Sequence, residues 1–123
     1  MKKFLSAILI ATLLCTTLMV SPVSASWDRS YFNYQGTNGY VYCSTGTDSN
    51  YPPGYGASVQ DDNYEYRDLG LELTYYILGG GSGTRTAYDN NYYLFIEGWG
   101  TKVTNATCLV SVDGASRYYY ARG

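Results

Sequence analysis

Tyrosine, valine, threonine, isoleucine and leucine recur along this chain in short runs of strict alternation, each run ended by glycine, asparagine, aspartate or proline. A period of two places successive side chains on opposite faces of an extended strand, so each run predicts a strand with one face turned to a core. In GYVYCST, Tyr40 and Tyr42 share a face opposite Val41 and Cys43. Leu71, Leu73, Tyr75 and Ile77 oppose Glu72, Thr74 and Tyr76. Tyr92, Leu94 and Ile96 alternate with Tyr93, Phe95 and Glu97, and Cys108, Val110 and Val112 with Thr107, Leu109 and Ser111. No segment after residue 25 shows the 3.6-residue period of an amphipathic helix. The predicted fold is all-β, a small antiparallel β-sandwich or flattened barrel. Turns are predicted at Thr37-Asn38-Gly39, Pro52-Pro53-Gly54, Asp89-Asn90-Asn91 and Asp113-Gly114, with GGGSG (79–83) as a hairpin tip.

The first 25 residues are of another kind. Lys2 and Lys3 precede an apolar run from Phe4 to Val20, Pro22 breaks it, and Val23-Ser24-Ala25 supplies the small residues of a cleavage site. Residues 1–25 are therefore expected to be a signal peptide and 26–123 a single secreted, extracellular β domain without a stable membrane anchor. With Lys2 and Lys3 removed, six basic residues face ten acidic ones, a net charge of −4. A protein that tracks phosphates needs a basic face, so nucleic acid is not an expected partner.

Loss of Cys15 with the signal leaves Cys43 and Cys108 as the pair in an oxidising compartment, both in phase with valines. One disulfide is expected between them, closing a loop worth about 4 kcal/mol in the chain-entropy picture. The absence of histidine removes Ser-His-Asp and Cys-His catalysis and the usual general base near neutral pH. A carboxylate-only hydrolase would need two acids about 5 to 10 Å apart in one cleft, for which Glu72 and Glu97 are the candidates; the preferred reading for both is a solvent-facing strand residue. No enzymatic activity and no cofactor are expected. The densest oxygen cluster, Asp61, Asp62 and Glu65, is a weak calcium candidate that does not follow an EF-hand loop, and a solvated acidic turn is the preferred account.

The positive signal is tyrosine: all 16 tyrosines and both tryptophans fall after residue 25. A domain this small cannot bury so many rings, and exposed tyrosines suit recognition because the ring stacks, the hydroxyl bonds and few rotamers are lost. Tyr76, Tyr93, Tyr119, Arg117, Tyr51 and Tyr55 are the expected aromatic binding surface. In SRYYYARG, Tyr118 and Tyr120 are expected to face the core and Tyr119 with Arg117 to face outward.

The leading expectation is a non-enzymatic binding or effector protein whose tyrosines meet a glycan or cell-envelope component. The segments YFNYQG (31–36) and GASRYYYARG (114–123) are similar to the early and terminal tyrosine clusters of small β-sandwich bacteriocins of the lactococcin type; that resemblance implies a secreted antagonist of other bacteria. A third reading is a proteinaceous inhibitor with a protein target, using Asn50-Tyr51-Pro52-Pro53 to plug an enzyme cleft.

Overall fold

The alternating runs pair into two antiparallel sheets packed face to face. The computed structural model describes residues 26–46 and 52–123, so the signal-peptide assignment and Tyr51 lie outside the described residues. The strands are β1 (Ser26–Tyr34), β2 (Thr37–Thr45), β3 (Gly54–Asp61), β4 (Arg67–Ile77), β5 (Ser82–Asn91), β6 (Tyr93–Trp99), β7 (Val103–Val112) and β8 (Ala115–Arg122). One sheet runs β1-β2-β3-β6 and the other β5-β4-β7-β8. The chain changes sheet between β3 and β4, at Tyr92 between β5 and β6, and between β6 and β7.

The core forms where the inward parities of the two sheets meet. Phe32, Val41, Cys43, Tyr55, Ala57, Val59 and Ile96 come from the first sheet, and Leu69, Leu71, Leu73, Ala106, Cys108, Val110, Val112 and Ala121 from the second. Two aromatic stacks join the layers: Tyr55 on Tyr75 at 3.8 Å and 8°, and Phe32 on Tyr119 at 4.2 Å and 24°.

Strand glycines obey one rule. Gly39, Gly54, Gly56, Gly70, Gly83 and Gly98 stand directly opposite Phe32, Trp99, Tyr42, Tyr88, Tyr75 and Tyr55 on the neighbouring strand. In each pair the ring lies across the glycine, where a Cβ would collide with it. Glycine normally weakens a strand by leaving nothing to pack, and here the cross-strand ring covers the bare backbone. Aromatic and glycine content are thus two halves of the same device.

Four expectations need correction. Cys43 and Cys108 do lie on inner faces and are fully buried, but both are free thiols and the expected disulfide is not formed. Alternation decides which face a side chain takes; the offset between two stacked sheets decides what it meets, and Cys43 meets the C-terminal Gly123. In β8 the register is reversed: Tyr119 and Ala121 point inward, while Tyr118 is 70% exposed and Tyr120 lies outward beside it. Tyr119 is drawn in by the Phe32 ring, a contact no local pattern in SRYYYARG records. The first turn is Gln35-Gly36, whose φ values of 54° and 74° suit a tight hairpin, so Thr37-Asn38-Gly39 belongs to β2. Asp89-Asn90-Asn91 likewise completes β5.

One end of the sandwich is closed by a buried carboxylate. Asp61 is fully buried and accepts backbone N–H groups of Asn63 and Glu65, each at 3.0 Å, and the Thr37 hydroxyl at 3.4 Å. The Arg67 guanidinium pairs with it at 2.7 Å, donates to the Gln35 carbonyl at 2.7 Å and lies 3.7 Å from Asp113. Three turns are thereby tied to one arginine.

Candidate functional site

The outer face of the first sheet is assembled from four rows of residues in register. From one end these are Asn33-Asn38-Gln60-Tyr93, Tyr31-Tyr40-Ser58-Phe95, Arg29-Tyr42-Gly56-Glu97 and Trp27-Ser44-Gly54-Trp99, each read across β1, β2, β3 and β6. Strand geometry makes the face roughly 14 Å across and about 20 Å long. Its flanks carry large rings: Tyr31 (71% exposed) on β1, Phe95 and Trp99 on β6, and Trp27 at the far corner. β3 between them contributes only Gly54, Gly56, Ser58 and Gln60. β3 carries no ring on this face, and the rings of β1, β2 and β6 around it make a trough.

The rings form a connected string. Tyr31 and Tyr40 lie 6.0 Å apart, Tyr40 and Tyr42 6.2 Å, Tyr42 and Trp99 5.9 Å, with Tyr93 stacked on Phe95 at 5.7 Å. The Arg29 guanidinium sits 4.4 Å from the Tyr40 ring and 5.6 Å from the Trp27 ring. Such cation–π contacts hold a long side chain flat and stiffen the wall.

Two hollows open on this face and share Tyr40. The wide one, about 740 Å³, has tyrosine walls (Tyr31, Tyr40, Tyr93) over a polar floor of Asn33, Asn38, Ser58, Gln60 and Asp62. In that floor Asn33 Nδ2 donates to Asn38 Oδ1 at 2.6 Å, and Asn38 Nδ2 donates to Asp62, which orients both amides. The smaller hollow, about 190 Å³, lies between Trp27, Tyr42 and Trp99 with Arg29 and Glu97 at its sides. Burial pushes the Tyr42 phenol well above the ordinary tyrosine value, and the Glu97 carboxylate adds to the shift. Among the described residues the Tyr42 hydroxyl has no partner in hydrogen-bond geometry, so Glu97 acts on it chiefly through charge. Burial also raises Tyr93, with the negative charge that Tyr40 and Glu97 can carry adding to it. Both phenols stay protonated.

The structure divides the predicted site residues. Tyr93 lies on this face, and Tyr76 is exposed on the opposite outer face, on β4. Tyr55 is buried against Tyr75, and Tyr119 is half-buried against Phe32, so neither belongs to an aromatic surface. Arg117 is exposed near the start of β8, on the other sheet from the trough. Asp61 is committed to closing the sandwich, Asp62 joins the wide hollow, and Glu65 is exposed beside it in the β3–β4 turn; among the described residues no metal-holding group of acids, histidines or cysteines occurs. Glu72 and Glu97 stand on opposite outer faces and share no cleft. Glu97 and Asp62 share a face but are about 20 Å apart along the strands, beyond the span of a glycosidase pair.

Trp27, Tyr31, Tyr40, Tyr42, Phe95 and Trp99 were absent from the predicted surface. The alternation of Tyr40 and Tyr42 against Val41 and Cys43 was a usable signal for two of them, and the parity of Phe95 with Tyr93 for a third. Their assembly depended on β6 pairing with β3, which is non-local. Compared with family models, with curated proteins and with solved structures, the chain matches none of them.

Proposed function

We propose that the protein is a secreted, non-catalytic binding protein whose four-row aromatic face receives an extended glycan of a cell envelope. The observation that carries this reading is the trough itself, with Tyr31, Tyr40 and Tyr93 as ring walls and an oriented amide and hydroxyl floor between them. A sugar ring presents apolar C–H faces and a belt of hydroxyls, which such walls and such a floor complement. The trough's length suits a polymer. Protonated Tyr93 and the Asn, Gln and Ser side chains supply donors and acceptors without a nucleophile.

Pull-down of the purified protein on insoluble peptidoglycan, chitin and cellulose tests this reading. Saturable binding is expected to at least one of them. Phe95→Ala and Tyr31→Ala should each weaken it roughly five- to tenfold, the equivalent of about 1 kcal/mol per stacked ring. Tyr118→Ala removes an equally exposed ring from the opposite face and should leave binding unchanged. No saturable binding to any of the three polymers, or equal loss with Tyr118→Ala, overturns the reading.

A further inference from the structure

The smaller hollow differs from the trough beside it in charge and in walls. It contains both tryptophans of the chain, and Trp faces attract cations most strongly among aromatic side chains. It also carries one formal positive and one formal negative group. Arg29 on β1 and Glu97 on β6 occupy the same cross-strand row, with Tyr42 and Gly56 between them. The strands they stand on are separated by about 14 Å at the backbone. Both side chains are long, and both charges act on the Tyr42 hydroxyl, Glu97 holding its proton and Arg29 easing its loss. Between them the Tyr42 ring lies across Gly56 and floors the hollow.

A hollow of about 190 Å³ admits only a small group. A purely cationic group would satisfy Glu97 and the tryptophans but place a charge near Arg29. A purely anionic group would satisfy Arg29 and face Glu97. A group with an ammonium at one end and an acid at the other matches both walls.

We propose that this hollow is a subsite for a small zwitterion, a substituted ammonium joined to a phosphate, borne by the polymer that lies in the wide trough. The ammonium is seated against Trp99 and Glu97. The phosphate is turned toward the positive charge of Arg29, whose guanidinium also donates to the Tyr31 hydroxyl at 3.3 Å. The inference rests on the aromatic face being the binding face, and it assigns the chemistry of one end of that face.

Phosphocholine, choline and inorganic phosphate are the probes, each titrated into the isotopically labelled protein while the indole N–H signals of Trp27 and Trp99 are followed by NMR. Phosphocholine is expected to saturate both signals at concentrations about tenfold lower than either fragment alone. Glu97→Gln should reduce phosphocholine to the level of phosphate. Arg29→Gln should reduce it to the level of choline, while Arg29→Lys, which keeps the charge, should retain part of the gain. Melting curves of the three variants identify any that fail to fold, and the Lys variant keeps the Arg29 arm decisive. Equal affinity for phosphocholine and choline, or shifts confined to the opposite sheet, overturns the proposal. The probes are free in solution, so their failure alongside intact polymer pull-down overturns the subsite alone. Failure of the pull-down itself counts against the broader reading.

Discussion

Tyr119→Ala, compared with Tyr118→Ala, tests the architecture at the strand where sequence and structure disagree most. The Tyr119 ring is half-buried, stacked on Phe32 at 4.2 Å and meeting Tyr34 edge-on at 6.4 Å. Truncation removes on the order of 100 Å² of covered ring surface, about 2.5 kcal/mol at roughly 25 cal/mol per Å². Loss of the aromatic pairing adds about 0.5 to 1 kcal/mol, so the expected cost is about 3 kcal/mol. In a domain of this size each kcal/mol moves the melting temperature by roughly 4 to 8 °C, which predicts a fall of about 12 to 24 °C. Tyr118, 70% exposed on the outer face, should change stability by less than about 0.5 kcal/mol when truncated, a shift of at most about 4 °C. Tyr119→Phe supplies an internal control: the Tyr119 hydroxyl is buried with no hydrogen-bond partner among the described residues, so its removal should be neutral or stabilising. Thermal unfolding followed by near-ultraviolet circular dichroism measures all three. A larger fall for Tyr118→Ala than for Tyr119→Ala would refute the inward register of β8 and the stack on Phe32.

The remaining predictions concern ionisation. Asp61 is held below the ordinary carboxylate value of 3.8 by the Glu65 and Asn63 backbone N–H groups, the Arg67 guanidinium and the Thr37 hydroxyl, against the opposing effect of burial. Its folded value is depressed, so its contribution to stability is fully present above the ordinary value and lost as pH falls through the folded value. Chemical denaturation at stepped pH should therefore show Asp61→Asn destabilised by a constant amount above about pH 5, the gap closing in stronger acid; a gap that widens on acidification contradicts the assignment. For the thiols, burial pushes Cys43 up to about 11 and Cys108 up to about 12. Native protein at pH 8 should resist a thiol-specific reagent and denatured protein should react with it at both positions. Rapid labelling of the native form at either cysteine would show that its burial is wrong.

Much of the fold was legible because a two-residue alternation is a local signal. Val41, Cys43, Leu71, Leu73, Val110 and Val112 each point inward as their neighbours' chemistry required. β8 was misread because three consecutive tyrosines present the same chemistry to both faces, and the tie was broken by Phe32, a residue more than eighty positions away. Asp61 looked like a solvated acid, and its burial came with partners at the start of β2, at the start of β4 and in the β3–β4 turn. For the candidate site, the presence of surplus rings could be read from composition. Which rings stand together could not, since Tyr31, Tyr40 and Phe95 meet only through the pairings β1–β2, β2–β3 and β3–β6.

The amino-acid sequence by itself determined that the chain forms strands, which residues of most strands turn inward, and that none of its residues is a histidine that could serve as a base. Those properties follow from side-chain period and residue type, which act over two or three positions. The tertiary structure alone decided that Cys43 and Cys108 remain separate thiols, that Tyr55 and Tyr119 belong to the interior, and that each strand glycine shelters under a ring across the sheet. It also placed Arg29 and Glu97 on opposite walls of one hollow. Register between strands and offset between sheets set these outcomes, and both are fixed by packing of the whole core, to which no short stretch of chain holds the key.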